Sequence, residues 1–287
     1  MREYSEQELK ELHGVLFEIL GEIIRVCEVL KIEYTAIGGT AIGAYYWQDI
    51  IPWDDDMDIG MTRRNYDRFL QEAPAVLKPE FFLAWYGTDP ESPFFFAKLR
   101  KRGTLFVEEQ CRKLDMNHGI YVDIFPLDNM PKSRLAEVLQ RKAVNRLNEC
   151  FAGKSVWTWR YFGKCEIEKP HAKGFFNCLF TRMVVTLVPK GTIYRMLYRL
   201  LTLYDNKEAD TVNIITTSVD QIPAIDLRNS RKMKLGLTEV TVPDHLPEYL
   251  RHHYGPGLKK IPPKEMQVNH APLTLSFGEK SEEQGRL

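Results

Sequence analysis

The sequence predicts an α/β fold of the α+β kind, in which a mixed sheet is backed by an N-terminal helix. Three observations predict it. Apolar residues recur at helical spacing between Leu9 and Leu30. Apolar and polar residues alternate, as in strands, from Ile50 to Met61 and again from His118 to Asp128. Helical patterning then dominates residues 131–230, which predicts a helical insert before a C-terminal closing segment.

The opening helix is indicated by its apolar stripe and its start signal. Ser5 and Glu8 have the spacing of a capping box, just before the stripe begins. The stripe consists of Leu9, Leu12, Leu16, Ile19, Ile23, Val26 and Leu30. Such a stripe is typical of a helix that faces a core, so we assign it no chemistry.

The next elements predict a strand, a tight turn and a helix, followed by the most acidic stretch of the chain. Gly38 and Gly39 separate an apolar run from a segment with small residues. In "IPWDDDMDIG" (51–60) the alternation places Asp56 and Asp58 on one strand face. Residues 94–104 and 118–128 predict two more strands, and Asp123 lies in the second, where a buried strand usually has an apolar residue.

We expect one domain over residues 1–277, with a catalytic core at about 5–130 and the helical region at about 131–230. A C-terminal element at about 235–272 would contain a short β element and a helix that ends near Tyr254. Residues 278–287 are expected to be a disordered tail.

Composition excludes several classes of protein. Lys plus Arg and Asp plus Glu number 39 each, so no overall charge favours nucleic acid, and no nucleic-acid partner is expected. Five cysteines without a C-x-x-C pair, behind a charged N-terminus, predict reduced thiols in a cytoplasmic protein. No apolar run is long enough to span a bilayer.

Residues 154–200 contain nine Lys or Arg against two Glu, interleaved with aromatic residues. One interpretation is peripheral association with anionic lipid headgroups, at the inner face of the membrane. The other is an ordinary solvated helical face. The segment has no set of Cys and His at zinc spacing.

The carboxylates of residues 54–58 suggest a cation site. A calcium loop is excluded, because the Gly stands seventh instead of sixth and position twelve is Asn65 instead of Glu. A magnesium site fits better, because Asp56 and Asp58 share a face and Asp123 on a neighbouring strand would complete a two-metal clamp. The alternative is a solvated acidic turn. The apolar neighbours favour burial, and buried acids at this density repel one another unless cations neutralise them.

These residues resemble a known family, the LicD/fukutin-like phosphotransferases of the nucleotidyltransferase-fold superfamily. The motifs that carry the resemblance occur in the family's order and span most of the chain: "GGTAIGA" (38–44), "IPWDDDMDIG" (51–60), "KLR" (98–100), "GIYVDIFPLD" (119–128), "YGPGLKKIPP" (254–263) and His270. Tyr46, Trp47 and Gln48 depart from a basic run that the family often carries, which suggests an altered substrate contact.

The resemblance implies a nucleotidyltransferase-like sheet and a metal-dependent phosphotransferase. Such an enzyme would move a phospho-alcohol, most commonly phosphocholine, from a CDP-alcohol such as CDP-choline to a sugar hydroxyl of a cell-surface glycan or of a lipopolysaccharide or teichoic-acid precursor, and release CMP. It implies that Asp56, Asp58 and Asp123 are both catalytic and metal-binding, with Mg²⁺ or Mn²⁺ and two ions. The acceptor would be a glycan or a lipid-linked glycan.

Further residues are expected to contact substrate. Lys98 and Arg100 alternate on one strand and suit phosphate oxygens, while Trp53 offers a face to the quaternary ammonium of choline. The full expected set is Gly38, Gly39, Thr40, Trp53, Asp54, Asp55, Lys98, Arg100, Asp128 and His270. For the cations, the aromatic rings and the lone His, a purely structural role is the alternative.

Two rival functions stay open from the sequence. A nucleotidyltransferase would use the same acids with a nucleoside triphosphate and release pyrophosphate, and a non-catalytic protein would only bind the metal. Either Asp123 or Asp54 would accept the proton of the attacking hydroxyl. The alcohol itself, whether choline, ethanolamine, ribitol or glycerol, is not specified by these residues.

Overall fold

A computed structural model describes residues 3–156, 172–205, 208–215, 221–258, 260–263, 267 and 269–278. The predicted tail at 278–287 lies outside these residues apart from Gly278, as does much of the basic segment at 154–200. In the described chain no helix combines the length and the hydropathy that crossing a membrane requires.

The main sheet is mixed, as the fold class predicted. Its strands are β1 (Thr35–Ala36), β2 (Asp58–Thr62), β6 (Tyr121–Asn129), β4 (Ala97–Lys101) and β3 (Phe81–Ala84), in that spatial order. The pair β2 and β6 is parallel, and the other pairs are antiparallel. The far end of β6 pairs with β7 (Thr211–Asn213), which pairs with β8 (Ile222–Pro223).

Helix α1 (Glu6–Leu30) covers one face of this sheet and packs against β4 and β6. It begins at the predicted capping box, since the Ser5 hydroxyl accepts from the Glu8 N–H and the Glu8 carboxylate accepts from the Ser5 N–H. Its stripe is buried in the larger apolar core. The short helix α2 (Gly38–Ile42) and helix α3 (Arg63–Glu72) follow β1 and β2.

The helical region forms a second apolar cluster. Helix α4 (Arg134–Ser155) packs against α5 (Ala172–Leu187) and α6 (Lys190–Leu201). Phe95, next to β4, and Phe151 of α4 both belong to this cluster, so it adjoins the sheet. The predicted helical region also contains β7, β8 and α7 (Ala224–Arg228), so it is less uniformly helical than its pattern indicated.

The C-terminal part returns to the sheet. A hairpin of β9 (Arg231–Leu235) and β10 (Thr238–Val242) precedes helix α8 (Leu246–Tyr254), which ends at the predicted residue. Strand β11 (Thr274–Ser276) pairs with β5 (Leu105–Val107). Strand β11 thereby lies beside a strand that is far away in sequence.

Two local predictions need correction. The strand predicted from Ile50 begins only at Asp58, because the Asp54 N–H donates to the Ile51 carbonyl at 3.0 Å and closes a turn. The predicted glycine turn is instead the start of α2, whose first residue, Gly38, has a φ of 55°. Glycine adopts this left-handed value without the penalty that a Cβ would bring.

Candidate active site

The acidic residues meet where β2 and β6 lie side by side. Asp58 begins β2 and is directly opposite Asp123 in the parallel register. The Asp123 N–H donates to the carbonyl of Met57 at 2.9 Å, which joins the acidic loop to β6. Asp54 and Asp56 precede the strand, so four carboxylates converge on one end of the sheet.

Burial and mutual repulsion disfavour the charged forms of these acids. Loss of hydration, followed by the charges of Asp56, Asp123 and Asp54, raises the pKa of Asp58 well above its usual range. Burial and the charges of Asp56 and Asp55 raise the pKa of Asp54 to about 8. The pKa of Asp56 is raised for the same reasons. Full ionisation of the cluster is therefore disfavoured unless cations neutralise it.

Lys98 provides the nearest cation in the described site. Its Nζ is 2.7 Å from Asp123 Oδ1 and 3.4 Å from the centroid of the Tyr121 ring. Burial raises the pKa of Asp123 to about 6, even though the Lys98 ammonium opposes that increase. Lys98 thus lies beside the acids, within the predicted site, and forms its described ion pair with the Asp123 carboxylate.

Asp55 points to a different set of partners from those of Asp56. Its carboxylate is 2% exposed and accepts from the Tyr4 hydroxyl at 2.7 Å and from the His270 N–H at 2.8 Å. The His13 ring nitrogen lies 2.8 Å from the Asp54 carbonyl. The N-terminal segment and the returning C-terminal segment therefore hold the acidic loop in place.

His270 lies beside the loop with its side chain mostly exposed. Its Nδ1 is 3.8 Å from Asp55 Oδ1 and 3.7 Å from Asp56 Oδ2. Hydrogen bonding to Asp55, and then the charge of Asp56, raise the pKa of His270 to about 9. The structure thus brings the predicted His270 to the acids across more than two hundred residues of chain.

The first turn of α2 packs directly on the carboxylates. A Cβ on Gly39 would lie 2.5 Å from Asp54 Oδ2, and one on Gly38 would lie 3.0 Å from Asp58 Oδ2. The Thr40 hydroxyl accepts from the Asp58 N–H at 2.7 Å. Only the absence of side chains at the two glycines permits this approach. Gly38, Gly39 and Thr40 therefore belong to the site by contact.

Two of the residues predicted to contact substrate have other described partners. Arg100 is 1% exposed, and its Nη1 donates to the Gly119 carbonyl at 2.7 Å. Asp128 accepts two hydrogen bonds from the Arg63 guanidinium, at 2.7 and 3.0 Å. These contacts fix β6 to its neighbours, and they do not join Arg100 or Asp128 to the acid cluster.

A cavity of about 470 Å³ adjoins the acids. Gly39, Trp53 and Asp54 contribute to its lining, and so do Tyr254, the last residue of α8, and Leu258, which follows that helix. Sequence reasoning named Trp53 but missed Tyr254. The available signal was the "YGPGLKKIPP" motif (254–263), which had no assigned role because its proximity to residues 51–54 depends on how α8 packs.

The donor set fits a divalent cation. Carboxylate oxygens are the ligands that Mg²⁺ prefers. Burial and mutual repulsion raise the free energy of the ionised acids, and a bound cation would lower it. In the described chain, Asp55, Asp56 and His270 form a set of three candidate metal ligands, because one ligand atom from each lies within 4.8 Å of the others. The predicted set of Asp56, Asp58 and Asp123 is more widely spaced and shares Asp56 with it.

Comparison with known proteins bears on these residues. Residues 31–138 match the family described as "LicD/FKTN/FKRP, nucleotidyltransferase domain", and this range contains all four clustered acids. Over 274 residues the chain is 25% identical to the lipopolysaccharide cholinephosphotransferase LicD of Haemophilus influenzae. The aligned region covers 91% of this chain and 95% of that protein. The chain is therefore similar to the LicD family over residues 31–138 and to one LicD protein over most of its length.

Proposed function

We propose that this protein is a metal-dependent transferase of phosphorus-containing groups that moves phosphocholine from CDP-choline to a sugar hydroxyl of a lipopolysaccharide or related cell-surface glycan. The observation that carries the proposal is the group of four carboxylates between β2 and β6, with Lys98 beside them. The match to a cholinephosphotransferase over most of both chains supports the choice of group.

In this proposal Asp56, Asp58 and Asp123 hold two divalent cations, Mg²⁺ or Mn²⁺. Such ions, when bound, neutralise the charge of the donor's pyrophosphate and of the transferred group. The acids contribute by their fixed position, because β2 and β6 are paired and the loop before β2 is held by Tyr4 and His270. Phosphoryl transfer depends chiefly on such positioning and charge neutralisation.

The proposed reaction is an in-line displacement. The acceptor oxygen forms a bond to the phosphorus that carries the alcohol, and the bond from that phosphorus to the bridging oxygen breaks. CMP leaves with the electron pair of that bond, and a carboxylate takes the acceptor's proton. Asp123 and Asp54 are the candidates for this proton acceptor.

A panel of donors tests the proposal. CDP-choline, CDP-ethanolamine, CDP-ribitol and CDP-glycerol are each incubated with the protein, Mg²⁺ and lipopolysaccharide, and CMP is measured. Nucleoside triphosphates are incubated in parallel, and pyrophosphate is measured. We expect CMP from CDP-choline and no pyrophosphate. Pyrophosphate release would instead favour the nucleotidyltransferase, and metal binding without either product would favour a non-catalytic role.

A cytoplasmic location at the membrane surface is part of the same proposal, because lipopolysaccharide precursors are carried on lipid. The described part of the basic segment supports it. Phe180, Met183 and Leu187 of α5 are 43%, 51% and 72% exposed, and lie near Arg182 on the same helix. Vesicles with and without anionic lipid test this point by sedimentation. We expect the wild-type protein to bind anionic vesicles and Met183→Glu to bind them more weakly. Equal binding by wild type and Met183→Glu would contradict this point.

A further inference from the structure

Among the described residues that line it, the cavity beside the acids combines apolar walls with one carboxylate. Ile42, Ile51 and Leu258 contribute apolar side chains, and Trp53 and Tyr254 contribute aromatic rings. Asp54 is the acidic residue of the lining, and its Oδ2 lies against Gly39, which is also part of the wall. The volume of about 470 Å³ lies within the range of small-molecule sites.

The described lining contains one carboxylate, that of Asp54, and one ammonium, that of Lys260. Asp54 has the negative charges of Asp55 and Asp56 next to it. The cation of the lining is Lys260, whose Nζ lies 4.7 Å from the centroid of the Trp47 ring. Trp47 and Trp53 meet edge to face, with centroids 5.8 Å apart, so Lys260 occupies the face of Trp47 while Trp53 lines the cavity.

A quaternary ammonium has the chemistry that this lining recognises. Its methyl groups are apolar and suit walls such as Ile51 and Leu258, and its fixed charge is attracted to an aromatic face and to a carboxylate. A polyol would leave its hydroxyl groups without partners against the apolar walls, which penalises its binding.

We propose that this cavity binds the trimethylammonium end of the transferred phosphocholine, between the ring of Trp53 and the carboxylate of Asp54. The inference rests on the proposed function and specifies which alcohol the site selects. Gly39 borders both the cavity and the acid cluster, so the phosphate of a ligand held here would lie toward the acids. Asp54 then serves substrate recognition, which leaves Asp123 as the candidate proton acceptor, and Trp53 determines specificity.

Binding of choline alone provides a test that needs no turnover. Choline chloride and its neutral isostere 3,3-dimethylbutan-1-ol are titrated against the protein by ligand-observed NMR. We expect choline to bind more tightly than the isostere. Trp53→Leu and Asp54→Asn should each weaken choline binding by about 2- to 30-fold, the factor expected for loss of one cation–aromatic or charge contact.

Two further variants keep the test interpretable. Trp53→Phe retains an aromatic face and should bind choline with intermediate affinity, even if the leucine variant folds poorly. Tyr45→Leu alters an exposed ring on the neighbouring segment that does not line the cavity, and should leave choline binding unchanged. Equal binding of choline and the isostere would overturn the proposal, and so would equal choline binding by wild type and Trp53→Leu.

Donor turnover separates this inference from the proposed function. If CMP is released from CDP-choline with the same KM by wild type and Trp53→Leu, the phosphotransferase stands and the cavity assignment fails. If choline binding depends on Trp53 and Asp54 but no CDP-alcohol is turned over, the cavity assignment stands and the phosphotransferase fails. Displacement of choline by CMP alone would mean that the cavity holds the cytosine base of the nucleotide, and would overturn the assignment.

Discussion

At the scale of single residues, Asp58 is where burial and charge conflict most strongly. It is opposite Asp123 in the sheet and near Asp54 and Asp56, all of which raise its pKa. Acids arranged in this way lower the stability of the empty protein, because like charges are held close together where each has lost part of its hydration. Functional sites commonly contain such destabilising groups, so removal of the charge should be stabilising.

We therefore predict that Asp58→Asn raises the free energy of unfolding of the chelator-treated protein by about 1 to 2 kcal/mol. Denaturant titration in the presence of chelator measures the change. Asp115→Asn, at an exposed position outside the cluster, is the matched control and should have no effect beyond about 0.5 kcal/mol. A less stable Asp58→Asn protein would show that the carboxylate is well satisfied in the fold.

The ion pair of Lys98 and Asp123 should behave in the opposite way. Both residues are buried, so Lys98→Met leaves the Asp123 carboxylate without its described cation. We predict a loss of about 3 to 5 kcal/mol of stability for this variant, and recovery of most of that loss in Lys98→Met/Asp123→Asn. Urea titration of the single and double variants forms the test. Losses that simply add would mean that the two side chains do not stabilise each other.

At the scale of elements, α2 is defined by how closely its glycines approach the acids. Gly39→Ala would place a Cβ 2.5 Å from Asp54 Oδ2, so the carboxylate or the turn must move. We predict that CMP release falls by about 10-fold or more, since displacements of this size strongly reduce positioning effects. A CMP assay of purified variants measures it.

The control for this variant is Gly14→Ala in α1. A Cβ there meets nothing within 4 Å, and alanine favours a helix interior by about 1 kcal/mol relative to glycine. Gly14→Ala should therefore keep full activity with equal or higher stability. If Gly39→Ala matched it in activity, the close contact between α2 and Asp54 would have no role in catalysis.

How well the elements could be predicted depended on the range of the interactions that form them. The capping box and stripe of α1 are local signals, and α1 begins and ends as its pattern indicates. The local alternation predicted a strand that carries both Asp56 and Asp58, but β2 begins at Asp58, so Asp56 precedes the strand. Sheet register is not local. Nothing in the sequence around Lys98 specifies that it lies opposite Asp123, a pairing that requires β4 beside β6.

The same distinction applies to the site. The acidic motif identified the carboxylates because four acids within five residues are visible in any reading of the chain. The cavity was not predicted, because its two sides, residues 51–54 and residues 254–263, meet only through the packing of α8. The ion pair of Asp128 with Arg63 was missed for a similar reason, since it joins α3 to β6.

At the scale of the whole molecule, two apolar clusters adjoin at the sheet. Phe151 of α4 contacts Phe95 and Tyr86, with ring centroids 5.6 Å away in each case, and thereby links the helical region to the segment between β3 and β4. If the chain is one domain over residues 1–277, as we propose, the two clusters should unfold together.

We predict that Phe151→Ala lowers stability by about 3 to 5 kcal/mol and preserves a single unfolding transition. Calorimetry of the two proteins measures both quantities. Phe180→Ala, at a 43% exposed position on α5, should cost less than about 1 kcal/mol. Two separate transitions, of which only one shifts in Phe151→Ala, would mean that the helical region folds as its own domain.

The central claim is that the acids between β2 and β6 form a metal-dependent phosphotransfer site. The most direct measurement is CMP release from CDP-choline in the presence of lipopolysaccharide, before chelation, after chelation and after Mg²⁺ is restored. We predict activity that chelation abolishes and Mg²⁺ restores in wild type and in Asp115→Asn, and a loss of about 100-fold or more in Asp58→Asn. CMP release that survives chelation, or an Asp58→Asn enzyme with full activity, would contradict the account.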